Sequence, residues 1–113
     1  MNKATIKNKA TIKKALENCG FGILSEGKDA IEFGQYTPCG EDWYERLEWS
    51  SFIKFLADLQ RRIECFDVDE EVEIWIDMRG TRGVPSSIKS LLEDAEWKLE
   101  KLKELLKEVT KWK

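Results

Sequence analysis

Arg79-Gly80-Thr81-Arg82-Gly83-Val84-Pro85-Ser86-Ser87 runs straight into a long periodic segment, Ile88 to Trp112, and the reading of that junction decides the fold. Glycine reaches backbone angles with φ > 0, so Gly80 and Gly83 mark a loop that turns sharply. Pro85 suits the first turn of a helix, and the hydroxyl of Ser86 or Ser87 can accept from the unpaired amides of a helix start. Beyond the serines, Ile88, Leu92, Ala95, Leu99, Leu102, Leu106 and Val109 recur at steps of four and three, the spacing of one stripe along a helix. Leu91, Leu105 and Trp112 widen it. The stripe is expected to pack on the chain's own sheet near its start and to be exposed near its end. Leu102 to Trp112 would then offer a homodimer contact through the C-terminal helix.

Immediately upstream, Asp67 followed three residues later by Glu70 has the pattern of a capping box. Val72, Ile74, Trp75, Ile76 and Met78 fit a strand or a short helix, and the cap favours the helix. Before that, Ser50 or Ser51 can cap a helix carrying Phe52, Ile53, Phe55, Leu56, Leu59, Ile63 and Phe66 on its apolar set. Further back, Phe21–Leu24, Ala30–Tyr36 and Trp43–Trp49 are short, rich in aromatic and β-branched residues, and separated by turn residues. They read as an antiparallel meander, with a hairpin loop at Ser25–Asp29 and a longer turn at Thr37–Asp42. Within the second strand Ile31 and Phe33 share a side and Glu32 opposes them, so one sheet face is expected to be wet.

At the N-terminus the hexapeptide Asn2-Lys3-Ala4-Thr5-Ile6-Lys7 is repeated as Asn8-Lys9-Ala10-Thr11-Ile12-Lys13. The second copy continues into Ile12, Ala15, Leu16 and Cys19 at helical spacing, and Gly20 stops the helix. Residues 1–8 are expected to be frayed. The fold class is therefore α+β: an N-terminal helix, a three-stranded antiparallel meander, and two to three helices with a long C-terminal one. With 113 residues, 42% of them hydrophobic, the chain suits one domain, 1–113.

The net charge of −3 hides a segregation: residues 1–16 carry +5, residues 17–77 carry −11 and residues 78–113 carry +3. No apolar run approaches the roughly eighteen residues needed to span a bilayer, and the N-terminus has no signal-peptide core. A soluble intracellular protein, cytoplasmic and with no membrane partner, is the expectation. Cys19, Cys39 and Cys65 are odd in number and widely spaced, which signals free thiols rather than a disulfide framework or zinc site.

There is no histidine, so the commonest general base and zinc ligand are missing, and no phosphate-loop, dinucleotide or nucleophile-elbow motif occurs. No catalytic, cofactor-binding or metal-ligating residue is assigned, and no cofactor is expected. The Gly80–Ser87 loop, with Arg79 and Arg82, could seat an anion at a helix start, but a plain turn with solvated arginines is the simpler reading. Asp67, Asp69, Glu70, Glu71, Glu73 and Asp77 form the densest acidic run and lack the pattern of a calcium loop. A metal-dependent enzyme built on them is the weakest of the functional readings. A stronger one joins Asp69, Glu70, Glu71 and Glu73 to Glu41, Asp42, Glu45 and Glu48 in one acidic surface that resembles the charge of a nucleic-acid backbone.

Five tryptophans are many for a chain of this size. Trp43, Trp49 and Trp75 are expected in the core. Trp97 lies off the leucine stripe and Trp112 near the chain end, which makes both candidates for a partner surface unless a neighbouring strand covers Trp97.

The stretches Gly34 to Trp43, Phe66 to Ile76, and Arg79 to Ile88 with Leu91, Asp94 and Ala95 resemble a group of small uncharacterised proteins encoded by phages and conjugative elements of Firmicutes. The resemblance spans about residues 30 to 108 and leaves the N-terminal repeat outside it. It implies a setting rather than a mechanism. Small accessory proteins of such elements often bind and block host defence machinery, CRISPR nucleases included. The expected function is thus that of a non-enzymatic, anti-CRISPR-type inhibitor that binds a host defence protein or nuclease complex and does not itself engage nucleic acid. The alternative is a dimerising structural or regulatory module of the element.

Overall fold

The computed structural model describes residues 3–111. In order, the chain forms α1 (Lys3–Asn18), β1 (Gly22–Glu26), β2 (Ala30–Tyr36), β3 (Asp42–Glu48), α2 (Phe52–Glu64), α3 (Val68–Trp75) extended by a 3-10 turn (Ile76–Met78), and α4 (Ile88–Thr110). The expected α+β architecture is the one observed. α1 begins at Lys3, inside the first hexapeptide copy, where fraying was expected. Adding a residue to an existing helix costs far less than nucleating one, so the packed second copy can carry the first.

The sheet has the order β1-β2-β3 and is antiparallel throughout. β2 and β3 pair in an unbroken register that sets Glu32 opposite Arg46, Phe33 opposite Glu45 and Gly34 opposite Tyr44. β1 pairs with β2 through an irregularity between Ile23 and Ser25 and runs two residues past its expected end, shortening the loop to Gly27–Asp29. Strand alternation buries Ile31, Phe33, Trp43 and Leu47, while Glu32, Tyr36, Tyr44 and Arg46 are exposed on the other face. At Gly34 the strands come so close that a Cβ would stand 2.3 Å from the Trp43 carbonyl oxygen. Only glycine fits there.

One core joins the elements. Ile12, Ala15, Leu16 and Cys19 of α1 meet Phe21, the buried sheet residues, Trp49, Phe55 and Leu59 of α2, and Leu102, Leu105 and Val109 of α4. Phe21 packs edge-on to Phe33 with ring centroids 4.9 Å apart. Of the cysteines, Cys19 is buried, Cys39 half-buried and Cys65 exposed, and all are free. Burial pushes the Cys19 thiol up to about 11, with the carboxylates of Glu104 and Glu108 adding to the shift.

The helix starts follow their sequence signals. Ser51 Oγ accepts from the Lys54 amide, Ser87 Oγ from that of Ser90, and Asp67 from those of Asp69 and Glu70. The ambiguous segment at 70–78 is helical, as the cap implies. Gly80 and Gly83 have φ of 79° and 78°. Pro85 lies two residues ahead of the cap rather than in the first helical turn, and it is buried.

Two expectations for α4 are corrected. Its buried face carries Leu91, Asp94, Ala95, Lys98, Leu102, Leu105 and Val109, so the stripe is turned from the one expected. Ile88 and Leu92, counted as core, are 51% and 37% exposed. The far end, expected to be exposed, is buried in the chain's own core at Leu102, Leu105 and Val109. Ile53 in α2 also faces outward. Among the described residues no helix is long and apolar enough to cross a membrane.

Candidate functional site

Asp94 and Lys98 stand one turn apart on α4, and both are almost wholly buried. A buried charge is tolerable only when it is paired and hydrogen-bonded. Asp94 takes a hydrogen bond of 2.5 Å from Thr37 Oγ1 and one of 3.1 Å from the Cys39 amide. Thr37 Oγ1 in turn accepts from the Glu41 amide at 2.8 Å. One carboxylate thus holds the whole turn between β2 and β3 against α4. Lys98 Nζ lies 2.8 Å from Glu41 Oε2 and 2.9 Å from Glu71 Oε1. Glu41 comes from the turn before β3 and Glu71 from α3, so this ammonium clamps three parts of the fold together. Burial raises the Glu41 carboxyl above its usual value, and the hydrogen bond from Lys98 works against that rise.

A second internal pair lies alongside. The Arg62 guanidinium meets Glu45 through Nε at 2.8 Å and Nη2 at 2.9 Å, a fork on one carboxylate. Trp43 Nε1 donates to the same carboxylate at 2.9 Å. Glu45, the residue that breaks the apolar set of β3, therefore points inward and is neutralised. These two clusters floor a cleft of about 480 Å³ between β3, α3 and the glycine loop, with Tyr44, Trp75, Met78 and Arg82 around it.

The eight expected acidic residues divide accordingly. Glu41 is buried, and Glu45 and Glu71 are committed to internal cations. Asp42 is half-buried and accepts from the Tyr44 hydroxyl. Glu48 is half-buried, takes a hydrogen bond from Ser50 Oγ at 3.1 Å and lies 3.8 Å from Lys54 Nζ. Asp69, Glu70 and Glu73 are exposed, together with Asp67 and Asp77 at the two ends of the same segment. One continuous face of eight carboxylates does not form; the free charge is concentrated along α3.

Trp97 is half-buried, edge-on to Trp43 at 5.9 Å, with Lys101 Nζ 5.6 Å from its ring centre. A strand residue covers it. Trp112 lies outside the described residues. In the glycine loop the Gly80, Thr81 and Val84 amides donate to Pro85, Met78 and Thr81 carbonyls, so they are occupied in making the turn rather than facing an anion. Among the described residues no three histidine, cysteine, aspartate or glutamate side chains are grouped closely enough to hold a metal ion.

Sequence reasoning missed Thr37, Arg62, Asp94 and Lys98 as organising residues. For the last two a signal existed: they fall in phase with Leu91, Leu102 and Leu105, where polar residues require partners. No family model, curated protein or solved structure matches the chain.

Proposed function

We propose that the protein is a non-enzymatic accessory protein of a phage or mobile element that acts in the cytoplasm of its bacterial host. There it binds and inhibits a nucleic-acid-targeting defence complex, in the manner of an anti-CRISPR inhibitor, with the carboxylates of α3 taking the place of phosphates. The observation that carries this reading is charge density. Asp67, Asp69, Glu70, Glu73 and Asp77 are all exposed within a segment about 15 Å long at the rise of a helix. That is one charge per roughly 3 to 4 Å, close to the one phosphate per about 3.4 Å along a DNA strand. A basic nucleic-acid channel would draw in such a segment quickly, with strong dependence on salt.

Partner capture from a host lysate, followed by binding measurements on the captured complex, tests the reading. Exposed charges act together, so the informative variant is Asp69→Lys with Glu70→Lys and Glu73→Lys, which spares the Glu71 contact to Lys98. Affinity should fall tenfold or more and become less sensitive to salt, with the fold intact and stability lower by only about 0.3 to 1 kcal/mol for each carboxylate lost from the first turn of α3. Unchanged binding at low salt would rule mimicry by α3 out. The alternative, a dimerising module, has its support in Ile88 and Leu92, exposed one turn apart on α4. Sedimentation showing only monomer would remove it.

A further inference from the structure

The opposite charge is gathered elsewhere. α1 carries five lysines and a single acid, Glu17, in a chain whose net charge is −3. Between α1 and the β1–β2 loop lies an open groove of about 670 Å³, lined by Lys9, Lys13, Lys14 and Lys28, with Glu17 and Glu26 also present. Its base is firmly built. Trp49 is buried beneath it and donates its indole N–H to the Gly27 carbonyl at 2.9 Å, which pins the loop. Lys9 Nζ donates to the Lys28 carbonyl at 3.1 Å and lies 4.7 Å above the Trp49 ring, so this ammonium is held over the groove. Lys13 pairs with Glu26 at 2.9 Å. Lys14 and Lys28 are exposed and, among the described residues, make no ion pair.

We infer that this groove binds the phosphate backbone of a nucleic acid. Ammonium groups on long stems are point charges suited to phosphates, and two unpaired ones on separate elements, Lys14 on α1 and Lys28 on the β1–β2 loop, bordering an open groove suit a polymer better than a single small anion. A protein partner is a poorer fit, because interface cores are depleted in lysine and rich in exposed apolar anchors, and the aromatic ring here is buried. The sequence alone, with its acidic balance, led to the expectation of no direct nucleic-acid contact. The basic stretch is already segregated in the sequence, and the fold sets it, with Lys28, along one groove. The inference is independent of the role proposed for α3.

Fluorescence anisotropy with a labelled oligonucleotide, single-stranded in one arm and duplex in the other, tests it on the full chain. Backbone binding through two free lysines should be weak, with a Kd of about 10⁻⁴ M near physiological salt, and should weaken as salt rises with a log–log slope of about 2. Lys14→Glu with Lys28→Glu should lose tenfold or more in affinity, and the log–log salt slope should become shallower by about 2, one contact per lysine. Lys103→Glu with Lys107→Glu, on α4, should bind like the parent. Should the first variant melt early, Lys14→Gln with Lys28→Gln replaces it and should show the same direction of change. Absence of binding in both arms at low salt, or equal affinity in the charge-reversed variant, overturns the proposal. So does equal competition by polyglutamate, which would assign the groove to an acidic protein, or a self-association that the charge reversal abolishes, which would assign it to a second copy.

Discussion

Lys98 is the residue on which the most structure depends, because its side chain is 2% exposed and its ammonium serves two carboxylates from different parts of the fold. A buried ion pair adds little net stability over a well-packed apolar pair, yet removing one partner strands the other charge. Lys98→Met should therefore cost about 3 to 5 kcal/mol, measured by denaturant unfolding at neutral pH. Adding Glu41→Gln should restore part of the loss, since neighbouring deletions are not additive. The pH dependence has a definite sign. Burial raises the Glu41 carboxyl in the folded chain above its ordinary value of 4.5, so the folded state holds that proton more tightly than the unfolded one. The stabilisation from protonating it is complete below 4.5 and is lost as pH rises through the higher folded value. Without Lys98 the rise is larger, and the deficit of Lys98→Met should shrink as the solution is acidified from pH 7. A deficit independent of pH would mean that Glu41 is not the stranded group.

For the elements, the phase of α4 decides what can touch what. Counting only apolar residues places Ile88, Leu92 and Leu99 at the centre of the stripe; the packed helix is rotated toward Leu91, Lys98 and Leu105. Leu105 is fully buried and Leu92 is 37% exposed. Leu105→Ala should cost about 2 to 5 kcal/mol, as deletion of a buried leucine does. Leu92→Ala should cost under about 1 kcal/mol. Equal costs would restore the unrotated stripe. The capping signals, by contrast, are legible in sequence to within one residue, at Ser50 or Ser51, Asp67, and Ser86 or Ser87, because a cap is a contact between residues two or three apart and needs nothing from the rest of the chain.

Across the whole molecule, burial is uneven. α1, the sheet, α2 and the second half of α4 share one core, whereas α3 contains no fully buried residue and is held in part by the Glu71–Lys98 contact. Local stability follows buried apolar contact, so α3 and the loop at 79–87 should open before the remainder. Hydrogen exchange should find the amides of 68–78 exchanging faster than those of 98–108, and Lys98→Met should widen the gap. Equal protection in both segments would show that α3 unfolds only with the core.

By itself the sequence determined the order of the elements and the kind of each except at 70–78, where a strand and a short helix both fit and the helices after the sheet numbered two or three. Period-two alternation, helical spacing, caps and turn glycines are each properties of a short window, and those windows agree with one another. It also determined that opposite charges sit in different stretches of chain. The tertiary structure alone decided the rotation of α4 and which of the eight acidic residues are free. Whether Glu41, Glu45 and Glu71 face solvent or a cation depends on Lys98 and Arg62, and the Lys98 partners stand 57 and 27 residues away along the chain. No local pattern records a pairing of that range: a carboxylate looks the same in sequence whether water or a buried ammonium neutralises it, and only folding brings the two groups to within 3 Å.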